Sequence, residues 1–192
     1  MATAIVRSPW AFSVLLTVLA SAVHAQETPP PAYQIAAQQA GIPSAVLYAI
    51  ALQESGTWLN DHLVPWPWTL NIAGRAYRYT RQAEACAGLQ QALQRTSPTH
   101  VDAGLGQINL GHQQRRYQHP CELLDPYRNL AIAAAILREQ HSTGQDWLIT
   151  IGRYHRPAGG APASRYRQSV SLHLARVLGD APVAATAQGD QP

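Results

Sequence analysis

Residues 45–56 read Ala45-Val46-Leu47-Tyr48-Ala49-Ile50-Ala51-Leu52-Gln53-Glu54-Ser55-Gly56, and this stretch decides the fold. Its first eight residues present no polar face, which predicts a helix that neighbours must cover on all sides. Pro43 opens the helix, where a missing N–H is no loss, and Ser55-Gly56 mark the point where the chain leaves it. Glu54 stands at that exit. A carboxyl there is partly desolvated, and desolvation disfavours the charged form, so its pKa is expected to be raised and the group able to donate a proton near neutral pH. The plainer reading is a surface Glu at a frayed helix end. An acid that opposes the helix dipole at a C-terminus is usually placed there for a reason.

Around this helix the pattern is mostly helical, with no repeat period. Residues 33–40 predict a short helix stopped by Gly41. Residues 66–72 and 76–79, separated by Ala73-Gly74-Arg75, predict a hairpin. Thr80 is the expected N-cap of a helix reaching about Arg95. Another helix follows Pro126, with Leu130, Ala133, Ala134, Leu137 and His141 at helical spacing and Gly144 as its stop. Residues 145–155 and 162–178 complete the set, the last amphipathic through Tyr166, Val170, Leu174 and Val177. The expected class is α+β, mainly α, with a small β-hairpin.

The chain has 192 residues, 46% hydrophobic and 13% charged, which suits one ordinary globular core. Its 14 cations are all Arg, against 11 Asp plus Glu, and no basic run is longer than Arg115-Arg116. Phosphate tracking needs many cations on one face, so nucleic acid is not an expected partner. Arg7, an apolar stretch over residues 10–22 and then Val23-His24-Ala25 read as a signal peptide cleaved after Ala25, which predicts export to the periplasm. The apolar run is 13 residues, shorter than the roughly 20 that span a bilayer, so no permanent membrane anchor is expected. Cleavage would leave 13 Arg against 11 acids, a charge of +2, in a domain without Phe or Met. Residues 26–32 are expected to form a stiff Pro-rich leader and residues 179–192 a tail, both poorly ordered. Cys86 and Cys121 are the only cysteines. In an exported chain they read as a disulfide, the alternative being two free buried thiols.

Two further features carry polar chemistry. Gly104-Leu105-Gly106-Gln107-Ile108-Asn109 fails as a dinucleotide loop, because the third glycine is replaced by Asn109. It reads either as an ordinary turn or as a backbone that a bulky polar ligand approaches closely, with Gln107 and Asn109 donating and accepting. Tyr154-His155 ends a helix; Tyr154 could hydrogen-bond a carboxyl, and His155 could do the same or cap the helix. No helical pair of His has metal-ligand spacing among His62, His100, His112, His119, His141 and His173, and no GxSxG occurs, so neither a metal or other cofactor nor a serine nucleophile is expected.

Taken in order, Ala49-Ile50-Ala51-Leu52-Gln53-Glu54-Ser55-Gly56, Gly104-Leu105-Gly106-Gln107-Ile108-Asn109, Asn129-Leu130 with Ala133-Ala134-Ile136-Leu137, and Tyr154-His155 resemble the SLT-type lytic transglycosylases. The resemblance covers about residues 33–178. Pro65-Trp66-Pro67-Trp68-Thr69-Leu70-Asn71 and Gly152-Arg153-Tyr154-His155 further resemble a branch found with conjugative elements and secretion machinery. The resemblance implies a lysozyme-like domain acting on peptidoglycan glycan strands, cleaving the β-1,4 bond between N-acetylmuramic acid and N-acetylglucosamine. It implies Glu54 as the single catalytic carboxylate, Gln107 lining the sugar site and Tyr154 hydrogen-bonding and orienting Glu54, with Ser55, Asn109 and His155 as further substrate-binding candidates. Gly106 stands where the family commonly has Met, which would open a subsite, and His155 where many members have Asn. The family's additional active-site Ser has no assignable position. Asp61 and Asp102 are the acids available as a second carboxylate, and loop or turn capping is the favoured reading for both. A hydrolytic glycosidase of lysozyme type, and a non-enzymatic peptidoglycan-binding assembly protein, are the competing functions.

Overall fold

The computed structural model describes residues 26–180; the expected signal segment and all of the tail beyond Asp180 lie outside them. The chain is mixed α+β and mainly helical. It runs α1 (Pro31–Ala40), α2 (Ser44–Ser55), β1 (Gly56–Leu59), β2 (His62–Pro65), β3 (Thr69–Ile72), β4 (Arg75–Arg78), α3 (Gln82–Leu93), β5 (Val101–Ala103), β6 (Ile108–Asn109), α4 (Pro126–Gln140), α5 (Trp147–His155) and α6 (Ala161–Leu178). Short 3-10 turns lie at Pro98–His100, Gln114–Arg116 and Pro120–Leu124.

Helix α2 is the centre. Every residue from Val46 to Leu52 is buried, because α1, α5 and α6 pack around it and the β1–β2 hairpin covers its exit. Complete burial of Leu47 and Ile50 contributes roughly 1.5–3 kcal/mol each over leaving them in water. Gly41 ends α1 at φ 66°, and the N–H groups of Gly41 and Ile42 close back on the carbonyls of Gln38 and Ala37. That left-handed cap is open to glycine without strain.

The β content exceeds the one expected hairpin. β3 and β4 pair antiparallel around Ala73-Gly74, with Thr69 opposite Arg78 and Ile72 opposite Arg75. The sheet continues through β5 and β6 in the order β4-β3-β5-β6. A separate hairpin, β1–β2, turns at Asn60-Asp61, both at positive φ, the conformation of the tight turns that match strand twist. Residues 66–68 precede the strand, so only the second half of the expected first strand is β.

Three helix ends differ from expectation. Arg81, not Thr80, is the N-cap of α3, which ends at Leu93 and has no side-chain cap bond. α4 stops at Gln140 rather than running to Gly144, and Asp146 starts α5 afresh by accepting from the Leu148 N–H at 2.9 Å. Helix α6 closes at Gly179, whose N–H and that of Asp180 return to the carbonyls of Arg176 and Ala175.

The leader is also not a loose extension. Pro31 already belongs to α1, Glu27 donates its N–H to the Val177 carbonyl at 3.0 Å, and its carboxylate accepts from Tyr48 at 2.8 Å and pairs with Arg176 at 3.2 Å. These contacts tie the segment before α1 to α2 and α6. Among the described residues no single helix is long and apolar enough to cross a membrane.

Cys86 on α3 is joined by a disulfide to Cys121 in the Pro120–Leu124 turn, 35 residues on. Closing a loop of that length removes unfolded-state entropy worth about 3–4 kcal/mol. The double variant Cys86→Ser, Cys121→Ser is therefore expected to lose about that much in chemical denaturation at neutral pH. A midpoint unchanged from the parent would show that α3 and the turn hold each other by packing alone.

Candidate active site

The site is assembled on one loop. Residues 104–107 join β5 to β6, and three helices reach in to hold them. Ser55, at the end of α2, donates to the Leu105 carbonyl at 2.9 Å and to Ala51 at 3.0 Å. Asn129, in the first turn of α4, accepts from the Gly106 N–H at 2.8 Å and donates to the carbonyls of Ala103 and Leu123 at 2.9 and 2.7 Å. Tyr154, on α5, donates to the Gly106 carbonyl at 2.7 Å. The bonds of Ser55 and Asn129 are buried and that of Tyr154 partly so; where a bond is buried, leaving a partner unmade costs about 1–3 kcal/mol.

The two glycines of this loop are there for space. A Cβ on Gly104, at φ 80°, would run into Asn129 and the Leu123 carbonyl, and one on Gly106 would sit 2.8 Å from the Ala133 methyl and 2.9 Å from the Tyr154 hydroxyl. Glycine at 106 therefore does not open a subsite. The position is filled by its neighbours, and a larger residue there would displace Tyr154.

Held in this way, the loop forms one wall of a cavity of about 650 Å³, whose lining includes Glu54, Asn71, Asp102, Gln107, Tyr154 and His155. Glu54 is half-buried at the end of α2. Its Oε1 accepts from the Tyr166 hydroxyl of α6 at 2.6 Å, across 112 residues of chain. Burial pushes the Glu54 carboxyl up to about 7; the Tyr166 hydrogen bond opposes the rise and the Asp102 charge adds to it. Tyr166 is itself raised, chiefly by burial and then by the nearby Glu54 charge, so it stays a donor. The ring of His155 stacks on Tyr166 at 4.5 Å, nearly parallel.

The residues singled out in the sequence are thus brought together, with altered tasks. Tyr154 lines the cavity, but its hydroxyl fixes the loop; the tyrosine that orients Glu54 is Tyr166. Ser55 is fully buried and spends its hydroxyl on backbone carbonyls, so it builds the site and does not meet a ligand. Asn109 lines the cavity, yet its amide is committed to Thr99 and Asp102 as donor and to the N–H groups of Gly111 and His112 as acceptor. Gln107, at φ 46°, donates to Thr69 and Gly104 carbonyls through Nε2, which leaves its carbonyl oxygen for a ligand hydroxyl. His155 is exposed at the rim; its pKa is lowered by burial of the ring face, with Asp102 pulling the other way.

Asp102 corrects the capping expectation. It sits on β5 facing the cavity and accepts from Asn109 at 2.8 Å, and burial raises its pKa. Asp61 does form the hairpin turn expected of it, at φ 62°. Tyr166 was legible only as one apolar position of an amphipathic helix; its hydroxyl, poorly placed in such a face, is the signal that could have marked it. Asn129 carried a comparable signal, an amide at the head of an otherwise apolar helix face. No known protein family, characterised protein or solved structure matches this chain.

A carboxyl whose folded pKa lies above its unfolded value binds its proton more tightly in the native state, so stability falls as pH rises from about 4.5 to about 7. Glu54→Gln removes that loss. It is expected to melt with the parent protein below pH 4.5 and to exceed it above pH 7 by on the order of 1–3 kcal/mol. Equal melting temperatures at pH 8 would mean the carboxyl ionises there at no cost.

Proposed function

We propose that this protein is a peptidoglycan lytic transglycosylase with a lysozyme-like domain, exported to the periplasm, that opens the β-1,4 bond between N-acetylmuramic acid and N-acetylglucosamine. The observation that carries the reading is a half-buried carboxyl, raised to about 7 and bonded to a tyrosine, at the wall of a cleft large enough for sugar rings. The order of motifs described above supports the same assignment. Local opening of the wall for a secretion or conjugation apparatus is the role that the branch resemblance suggests.

In this mechanism neutral Glu54 gives its proton to the glycosidic oxygen as the C1–O bond breaks. The resulting carboxylate takes the proton of the C6 hydroxyl of the same muramic residue, whose oxygen closes on C1. The products are a free 4-hydroxyl and a 1,6-anhydro end, with no water consumed and Glu54 protonated again. Tyr166 steers one carboxyl oxygen and, by stabilising the anion, keeps the pKa from rising further. Gln107 offers its carbonyl oxygen to a sugar hydroxyl. The buried loop bonds keep the wall from moving as charge develops.

The hydrolytic alternative is favoured by one specific observation, the second carboxyl in the cavity. Asp102 could activate a water across the scissile bond, as paired carboxylates do in many glycosidases. Digestion of purified sacculi followed by mass spectrometry of the muropeptides separates the two: anhydro ends support the first reading, reducing ends the second.

Glu54→Gln is expected to lower glycan release by about 10²–10⁴-fold, the scale of a lost general acid; undiminished release would remove Glu54 as that acid, and no release by the parent protein would leave only a binding protein. Activity that starts from neutral Glu54 declines as pH rises through about 7. Tyr166→Phe removes a bond that favours the carboxylate, so its alkaline limb should move to higher pH. A limb that stays fixed would remove Glu54 as its source.

A further inference from the structure

Beyond the cavity that holds Glu54, and sharing His112, Gln113 and Arg116 with it, lies a second recess of about 440 Å³ walled by residues 111–116. It contains no acid of its own, and two guanidinium groups reach its wall. Arg116 is pre-set: its Nε donates to Gln113 at 2.6 Å, one Nη to Glu139, and its carbonyl accepts from Arg128 at 2.9 Å. The side chain is 27% exposed and that of Glu139 54%, so the acid is the partner more open to solvent. Arg115 is exposed and forms no ion pair with any acid among the described residues. The other cavity carries the opposite character, with Glu54 and Asp102 on its wall.

We propose that the Arg115–Arg116 recess is a carboxylate subsite of the cleft, and that it takes a carboxylate of the glycan substrate; this rests on the glycan-cleaving function proposed above. The sugar rings of peptidoglycan carry no charge. Its anions are the carboxylates of the peptide stems and, where a stem has been removed, the lactyl carboxylate of muramic acid. A guanidinium already oriented by Gln113 and Glu139 offers a planar fork to such a group at low entropic cost. Glu139 competes for the same fork, so the incoming carboxylate displaces or shares a partly exposed ion pair that is itself worth little.

The test uses the Glu54→Gln protein, which leaves its ligand intact, and measures affinity by calorimetry for three length-matched glycan fragments. One carries peptide stems, one has been stripped to the lactyl carboxylate, and one is an N-acetylglucosamine oligomer with no carboxylate. At least one carboxylate-bearing fragment is expected to bind about tenfold more tightly than the uncharged oligomer, with the advantage fading at high salt. Preference for the peptide-bearing fragment alone assigns the stem; preference for the stripped fragment alone assigns the lactyl group, and equal preference for both means that the recess takes either carboxylate. Adding Arg116→Gln should erase the advantage, and adding Glu139→Gln should enlarge it, because it frees the fork. Both variants break the same partly exposed ion pair, so circular-dichroism melts close to the parent are expected and exclude misfolding. Equal affinity for all three fragments, or an advantage that survives Arg116→Gln, overturns the subsite. Absence of binding to any fragment overturns it as well. Binding with the expected charge preference, but no glycan release by the parent protein, would instead overturn the proposed function and leave the subsite standing.

Discussion

The loop between β5 and β6 is where the structure is decided. Four short backbone-rich residues cannot hold a shape by themselves, and here their carbonyls and N–H groups are taken up by Ser55, Asn129 and Tyr154 from three different helices. Ser55 and Asn129 are themselves out of bulk water and Tyr154 is partly so, so the bonds of the first two are strong relative to their alternative and cannot be given up cheaply. The consequence is positional. Glu54 precedes Ser55 directly, so the bond that ties Ser55 to Leu105 also fixes the carboxyl relative to the wall bearing Gln107. Asp102 is fixed from the other side of the same loop. Groups that act together need a set distance more than they need strength, and this clamp supplies that distance without a ligand to organise it.

The environment of Glu54 follows from the same packing. The run from Val46 to Leu52 in α2 is covered on every side, and the carboxyl two residues beyond Leu52 inherits that low-dielectric surrounding. Left alone it would be driven far toward neutrality. The Tyr166 hydroxyl moderates the shift, and Asp102 adds to it, which leaves the group near the middle of the physiological range where both its states are accessible. Stability is given up for this. An uncharged residue would suit the end of α2 better.

What could be read in advance was what is local. The burial of α2 and the unusual acid at its exit follow from a dozen consecutive residues, and Gly41 and the β3–β4 turn announce themselves by residue type. The two cysteines needed only their number and the expected compartment. The tasks of the site residues were less legible, because a hydroxyl or amide does not state its partner. Ser55 and Asn109 have the chemistry of ligand binders, and Ser55 uses it on the backbone, Asn109 on the backbone and on Asp102. Tyr154 and Tyr166 are both tyrosines on helices near the cleft, and only the packing of α6 along α2 and α5 decides which one meets Glu54. The strands β5 and β6 are three and two residues long, too short for any alternation to register. The leader looked loose by composition, yet one Glu finding Tyr48 and Arg176 was enough to fasten it.

The four-stranded sheet leaves β4 as an open edge, with all four of its residues exposed. An unpaired edge invites another copy to add its own strand. The same antiparallel register that joins β3 to β4, if repeated between two β4 strands, would set Arg75 of each chain opposite Arg78 of the other. Like charges opposed on a pair of strands destabilise it. A chain with few charges carries two of its arginines on a strand that supplies no residue to the cavity lining, where they would oppose such pairing, while Arg78 also donates to the Gly56 carbonyl at 2.7 Å.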